Sequence, residues 1–190
     1  SNEKFIAAVC AAVMVLGSTF TAFAAPSATA DDVTTATNLV MDKANIDVDA
    51  ENVVVKAIAK DSTEAKALTN VLVDILNKKN VGDTAYKATV LKLFDLSFDG
   101  SEDGGKVTFK GLDVKKGEKV AVLHWGGSKW DIVAEVTVSE AGSVTAEFDS
   151  LSPVAIVKIA EKAPKGGVGV STLSLIAAAG LAGAVVCGKK

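Results

Sequence analysis

A mainly β fold with a smaller α/β N-terminal part is predicted by three features of the sequence. After Asp83 the chain breaks into short alternating apolar and polar runs parted by turn residues. Before it, one segment alone has convincing helical spacing, and long apolar runs close both ends. The expected architecture is therefore an antiparallel β-sandwich-like module set between an N-terminal signal helix and a C-terminal transmembrane helix. Four regions follow: 1–25 as signal peptide, 26–83 as a small helix-containing α/β region, 84–162 as the β module, and 163–190 as the anchor region.

The first region, Lys4–Ala25, has an apolar core ending in small residues of the A-x-A kind, with cleavage expected after Ala24 or Ala25. A second small-residue site, Ala28–Thr29–Ala30, lies a few residues on. Only Lys4 is basic, and Glu3 offsets it, which implies further basic residues upstream. An uncleaved membrane anchor is the alternative, and the polar Ser18, Thr19 and Thr21 count against it.

In the second region Thr34–Asn45 is expected as a short helix, with Val33, Thr37, Val40 and Met41 on one face. The Val-rich run Asn52–Lys60 reads as a strand. A stronger helix follows, capped by Asp61 with Glu64 reaching back, and carrying Ala65, Leu68, Leu72, Ile75 and Leu76 at helical spacing. Lys78 and Lys79 suit the negative end of its dipole, and Gly82 permits the exit.

Strands are then expected at Thr89–Phe98, Lys106–Lys110, Lys119–Trp125, Lys129–Val138, Val144–Phe148 and Val154–Ile159. Strict alternation would put Val90, Lys92, Phe94, Leu96 and Phe98 on one face of the first. It would likewise group Trp130 with Ile132, Ala134, Val136 and Val138. Gly126–Gly127 between Trp125 and Lys129 is a hairpin signal. In the last region Val168–Gly188 contains no charged residue. About 20 helical residues at about 1.5 Å each span the roughly 30 Å hydrocarbon layer, and Lys189–Lys190 would stay cytoplasmic. The predicted topology is an exported, extracellular ectodomain with its tail inside.

Ala163–Pro164–Lys165–Gly166–Gly167, followed by an apolar span and a Lys tail, resembles the cell-wall sorting signal of Gram-positive surface proteins, in which an LPxTG pentapeptide precedes the membrane span. Pro164 matches the Pro, Lys165 the free position and Gly167 the Gly, while Ala163 replaces the Leu and Gly166 the Thr. The resemblance implies attachment at the cell membrane or cell wall: either a retained helix, or a tail cut by a transpeptidase and joined to peptidoglycan. From Leu91 to Lys158 the chain is also similar to a β module that recurs before the anchor in Firmicutes surface proteins. Val107–Thr108–Phe109, Gly117–Trp125, Lys129–Trp130 and Ser152–Val157 carry that similarity, which implies a β fold and no catalytic residues.

All 20 basic residues are Lys and the net charge is −3, which disfavours nucleic acid as a partner. Both cysteines, Cys10 and Cys187, lie in the apolar ends, so no disulfide can staple the middle. No metal or cofactor is expected. Asp99–Gly104 matches the first half of a calcium loop, but its twelfth position is Lys110 instead of a bidentate Glu. His124, the only histidine, lacks a recognisable nucleophile or acid partner in the sequence and reads as a polar tip on a strand. Trp130 reads as core, and Trp125, on the hairpin shoulder, as the candidate ligand contact. These features point to a non-enzymatic surface protein acting as a binding, adhesive or spacer module, with the membrane and peptidoglycan or wall polymers as partners. A cell-envelope hydrolase is the alternative. Low aromatic content, 5%, leans toward a spacer, which would lack a ligand-sized groove.

Overall fold

The computed structural model describes residues 24–48, 53–98 and 103–163. Nine strands and one α-helix run in the order β1 (Val33–Thr35), β2 (Ile46–Val48), β3 (Val53–Ala57), α1 (Thr63–Lys79), β4 (Tyr86–Phe98), β5 (Asp103–Phe109), β6 (Lys119–Trp125), β7 (Trp130–Thr137), β8 (Val144–Ser150) and β9 (Pro153–Glu161). Among these residues the protein is mainly β, as its alternating runs predict. The large sheet has the order β1-β4-β9-β6-β7, with β3 also on β4; β2-β5-β8 form the small sheet. One face of the large sheet carries α1 and the other packs on the small sheet, giving three layers with two cores.

The helix forms where expected, but its cap is Ser62, whose side chain accepts from the Ala65 amide at 3.2 Å. Asp61 lies one residue outside it. Leu68, Leu72, Ile75 and Leu76 are buried on one face, meeting Ala88, Val90 and Leu93 of β4, Ala121 and Leu123 of β6, and Ala155, Val157 and Ile159 of β9. At its end Val81 and Thr84 exchange backbone hydrogen bonds around Gly82, whose φ of 56° favours glycine. Asn80 then ties three segments together. Its amide accepts from the Tyr86 backbone N–H at 2.9 Å and donates to the Pro26 carbonyl, while its own N–H caps the Leu76 carbonyl.

The second core lies between the sheets. Phe109 is fully buried there, edge-on to Phe94 at 6.0 Å and to Phe148 at 6.2 Å. Val120, Val122, Val154 and Ile156 supply the large sheet's side.

Two β-bulges decide which residues face which core. In β4 the register against β9 shifts between Val90 and Lys92, so Ala88 and Val90 face α1 while Phe94 and Leu96 face the small sheet. In β7 the register against β6 shifts between Ile132 and Ala134. Trp130 consequently joins the helix-side core, and Ala134 and Val136 the inter-sheet core. A bulge adds one residue to one strand and thereby inverts every later side chain. The expected common face of Val90 with Phe94, Leu96 and Phe98, and of Trp130 with Val136, is corrected accordingly.

The expected helix at Thr34–Asn45 is also corrected. The segment is β1, an extended stretch, and a short 3-10 turn at Lys43–Asn45. β1 runs parallel to β4, which makes the large sheet mixed rather than wholly antiparallel. Leu39 accepts from the Leu93 amide at 2.8 Å and is buried on the helix side, whereas Met41 is buried between the sheets. The segment thus closes the edges of both cores, and Val33 and Met41, which helical spacing places on one face, pack on opposite cores. β1 and β3 pair with β4, and β2 with β5, so residues on either side of Asp83 share both sheets.

Among the described residues no helix is long and apolar enough to cross a membrane. The span expected at 168–188, the signal segment through residue 23, residues 164–167 of the sorting-like motif and the acidic turn at 99–102 lie outside the described residues.

Candidate functional site

Trp125 is placed in the core, 7% exposed, with its ring 5.6 Å from that of Trp130 beneath α1. β6 has no bulge, so Trp125 shares the helix-facing side with Ala121 and Leu123. The expectation of an exposed ligand contact at Trp125 is therefore corrected. Trp130 is 4% exposed, as core packing requires, and its indole N–H donates to the Glu64 carbonyl at 2.8 Å. Gly127, with φ 90°, forms the hairpin tip between them. Ala163, the first residue of the sorting-like motif, is exposed just after β9.

His124 does acquire a hydroxyl neighbour that the sequence order conceals. Ser152, in the turn before β9, brings its Oγ to 2.6 Å from His124 Nε2 and to 2.6 Å from the Trp125 carbonyl oxygen. Asp131 is the cross-strand register partner of His124, so an aspartate lies on the neighbouring strand beside the Ser152–His124 pair. The hydrogen-bond inventory argues against a nucleophile. A carbonyl oxygen only accepts, so the single Ser152 proton goes to Trp125, and Nε2 carries the hydrogen that completes the other contact. A histidine acting as base on Ser152 would need that Nε2 unprotonated. Asp131, moreover, pairs with Lys129 at 2.8 Å. The arrangement stitches the end of β6 to the start of β9.

The large sheet outgrows the layers on both of its faces, and clefts open where it does. On the helix side α1 ends at Lys79, leaving Tyr86 of β4, Lys119 and Ala121 of β6, Glu135 and Thr137 of β7 and Ile159 of β9 around a cleft of about 350 Å3. The bulge in β7 is what turns Glu135 and Thr137 toward this face; without it Ala134 and Val136 would point here. Lys79 pairs with Glu135 at 3.0 Å, the Lys119 ammonium donates to the Thr137 hydroxyl, and the Tyr86 hydroxyl donates to Glu161 at 3.3 Å. On the opposite face a cleft of about 640 Å3 is lined by Lys87, Thr89, Lys92 and Lys158 together with Asp113 and Glu118. Its ammonium groups are largely committed: Lys92 donates to the Asn38 carbonyl at 3.1 Å, and Lys158 to that of Asp113 at 3.1 Å.

Strand β7 forms one edge of the large sheet, opposite the edge made by β1 and β3. It carries exposed Asp131 and Glu135 as well as the bulge, features that discourage strand addition. Among the described residues no cluster of three His, Cys, Asp or Glu side chains could hold a metal ion. No family profile, curated protein or solved structure matches the chain. The fold and its clefts define a three-layer, mainly β protein with two open sheet ends.

Proposed function

We propose that this chain is a non-enzymatic bacterial surface protein whose folded middle is displayed outside the membrane as a binding module, held there by its C-terminal segment. The observation that carries the binding role is the overhang of the large sheet. It leaves polar-lined clefts in the size range of small-molecule sites, about 300–1,000 Å3, which a plain spacer has no use for. Display at the membrane or wall rests on the apolar runs at 4–25 and 168–188, the Lys tail, and the sorting-like Ala163–Gly167. Peptidoglycan or wall polymers are the partners that such a location offers.

Fractionation of cells that make the protein tests the display. The chain is expected in the envelope fraction, with intact mass separating the two anchoring routes. A muramidase-released species ending at Gly166 with a wall fragment marks covalent attachment, and a detergent-extracted tail through Lys190 marks a retained helix. Recovery from the cytosol with the N-terminal segment intact would sink the proposal.

The proximity of Ser152, His124 and Asp131 favours the second reading, a cell-envelope hydrolase, and it has its own test. Because the Ser152 proton is directed at a carbonyl, a fluorophosphonate probe is expected to leave Ser152 unmodified by intact mass. An adduct on Ser152 that disappears in His124→Ala would establish an activated serine and reverse the assignment.

A further inference from the structure

The cleft past the end of α1 combines features that a sugar ring needs. Pyranose rings present an apolar C–H face and a rim of hydroxyls, so their sites pair an aromatic or aliphatic floor with donors and acceptors around it. Tyr86 is half-buried, packing against the helix-side core while lining the cleft. Ile159 borders this apolar floor, with Ala121 fully buried beneath it, and Lys119, Glu135 and Thr137 rim it. Charge selects among wall components. Lys79 and Lys119 are offset by Glu135 and by Glu161 at the Tyr86 hydroxyl, so the rim has no excess of cations to hold a polyanion.

We infer that this cleft is a binding site for a neutral, N-acetylated glycan, with Tyr86 as the stacking platform and Glu135, Lys119 and Thr137 as the hydrogen-bonding rim. An acetamido group suits the site at both ends: its methyl would pack beside the Tyr86 ring and the exposed edge of Ile159, and its N–H would donate to Glu135. The rim groups are held in place by pairing with one another, and solvent-exposed ion pairs such as Lys79–Glu135 add little stability. A ligand can therefore exchange those contacts for its own at little cost. The volume, about 350 Å3, suits a short stretch of glycan rather than a long one.

This inference rests on the binding reading above and is tested separately from surface display. The full chain in detergent is titrated with chitotetraose, and with maltotetraose as an oligosaccharide lacking acetamido groups, by calorimetry and amide chemical shifts. Saturable chitotetraose binding is expected, with shifts centred on Tyr86, Lys119, Glu135 and Thr137, and weaker binding of maltotetraose. Tyr86→Ala should weaken it by about tenfold or more, the loss of about one ring stack. Tyr86→Phe should stay within about twofold, since it keeps the ring. Glu135→Gln and Thr137→Val, on exposed positions of an edge strand, preserve the fold and should each weaken binding. No saturable response to chitotetraose, or a response indifferent to Tyr86→Ala, Glu135→Gln and Thr137→Val together, overturns the site. A chain found in the envelope yet silent to the sugar would remove this inference and leave display intact. A cytosolic chain that binds the sugar would do the reverse.

Discussion

Phe109→Ala is expected to lower the free energy of unfolding by about 4 kcal/mol, within the range of about 3–5 kcal/mol for truncating a buried phenylalanine. The ring is fully buried between the sheets and meets Phe94 and Phe148 edge-on, with interplanar angles of 67° and 85°. Edge-to-face pairs add about 0.5–1.5 kcal/mol each beyond their area, so both contacts are lost together with the transfer term. Backbone relaxation cannot refill the space easily. β5 is held on one side by β2 and on the other by β8, and the cavity would open midway between two hydrogen-bonded layers. Against a typical total of about 5–15 kcal/mol, such a loss leaves a protein that unfolds at a much lower urea midpoint with unchanged slope. Phe109→Leu keeps much of the volume but gives up both edge-to-face contacts, and should cost about 1–3 kcal/mol, less than Phe109→Ala. A cost below about 1 kcal/mol for Phe109→Ala would mean that the small sheet does not pack on the large one as described.

How much of this arrangement the sequence discloses depends on whether a residue's role is local. The strands from β5 onward, the hairpin at Gly126–Gly127 and the buried face of α1 follow from short-range pattern, because alternation and helical spacing are themselves local properties. The bulges are not. Nothing near Leu91 or Val133 announces an extra residue, since both are ordinary strand formers, and the inversion shows only in register against β9 and β6. The misplacement of Trp125 has a related cause: a position beside a turn looks exposed until α1, remote in sequence, is laid over it. Val33 and Met41 mislead in the opposite sense, because helical spacing groups them on one face whereas Val33 packs on the helix-side core and Met41 between the sheets. The cleft residues Tyr86, Lys119, Glu135 and Thr137 come from three strands, β4, β6 and β7, and Glu135 and Thr137 reach the cleft only through the β7 bulge. Ser152 and His124 likewise meet only because β9 lies beside β6.

Trp130→Ala is expected to be nearly as destabilising, by about 3–5 kcal/mol, and its consequence differs because the side chain joins segments distant in sequence. The indole is 4% exposed, lies against Trp125, and donates to the carbonyl of Glu64 in the first turn of α1. Trp130→Phe separates the two contributions. It keeps an aromatic ring in the core but removes the N–H, at a cost of about 0.5–1.5 kcal/mol for one hydrogen bond. Since α1 buries four apolar residues mainly against β4, β6 and β9, it loses most of its packing surface when the large sheet opens. A single helix of 17 residues is marginal in water on its own. Loss of the helical signal in far-ultraviolet circular dichroism should therefore coincide with the change in tryptophan fluorescence, from Trp125 alone in Trp130→Ala and from both tryptophans in the parent chain. Were residues 26–83 an independent unit, the helix would melt separately and Trp130→Ala would shift only one of two transitions. Coincident curves at a lowered midpoint are expected instead, because β1 and β3 are hydrogen-bonded to β4 and cannot leave the sheet without exposing core, β1 on the side that α1 covers and β3 between the sheets.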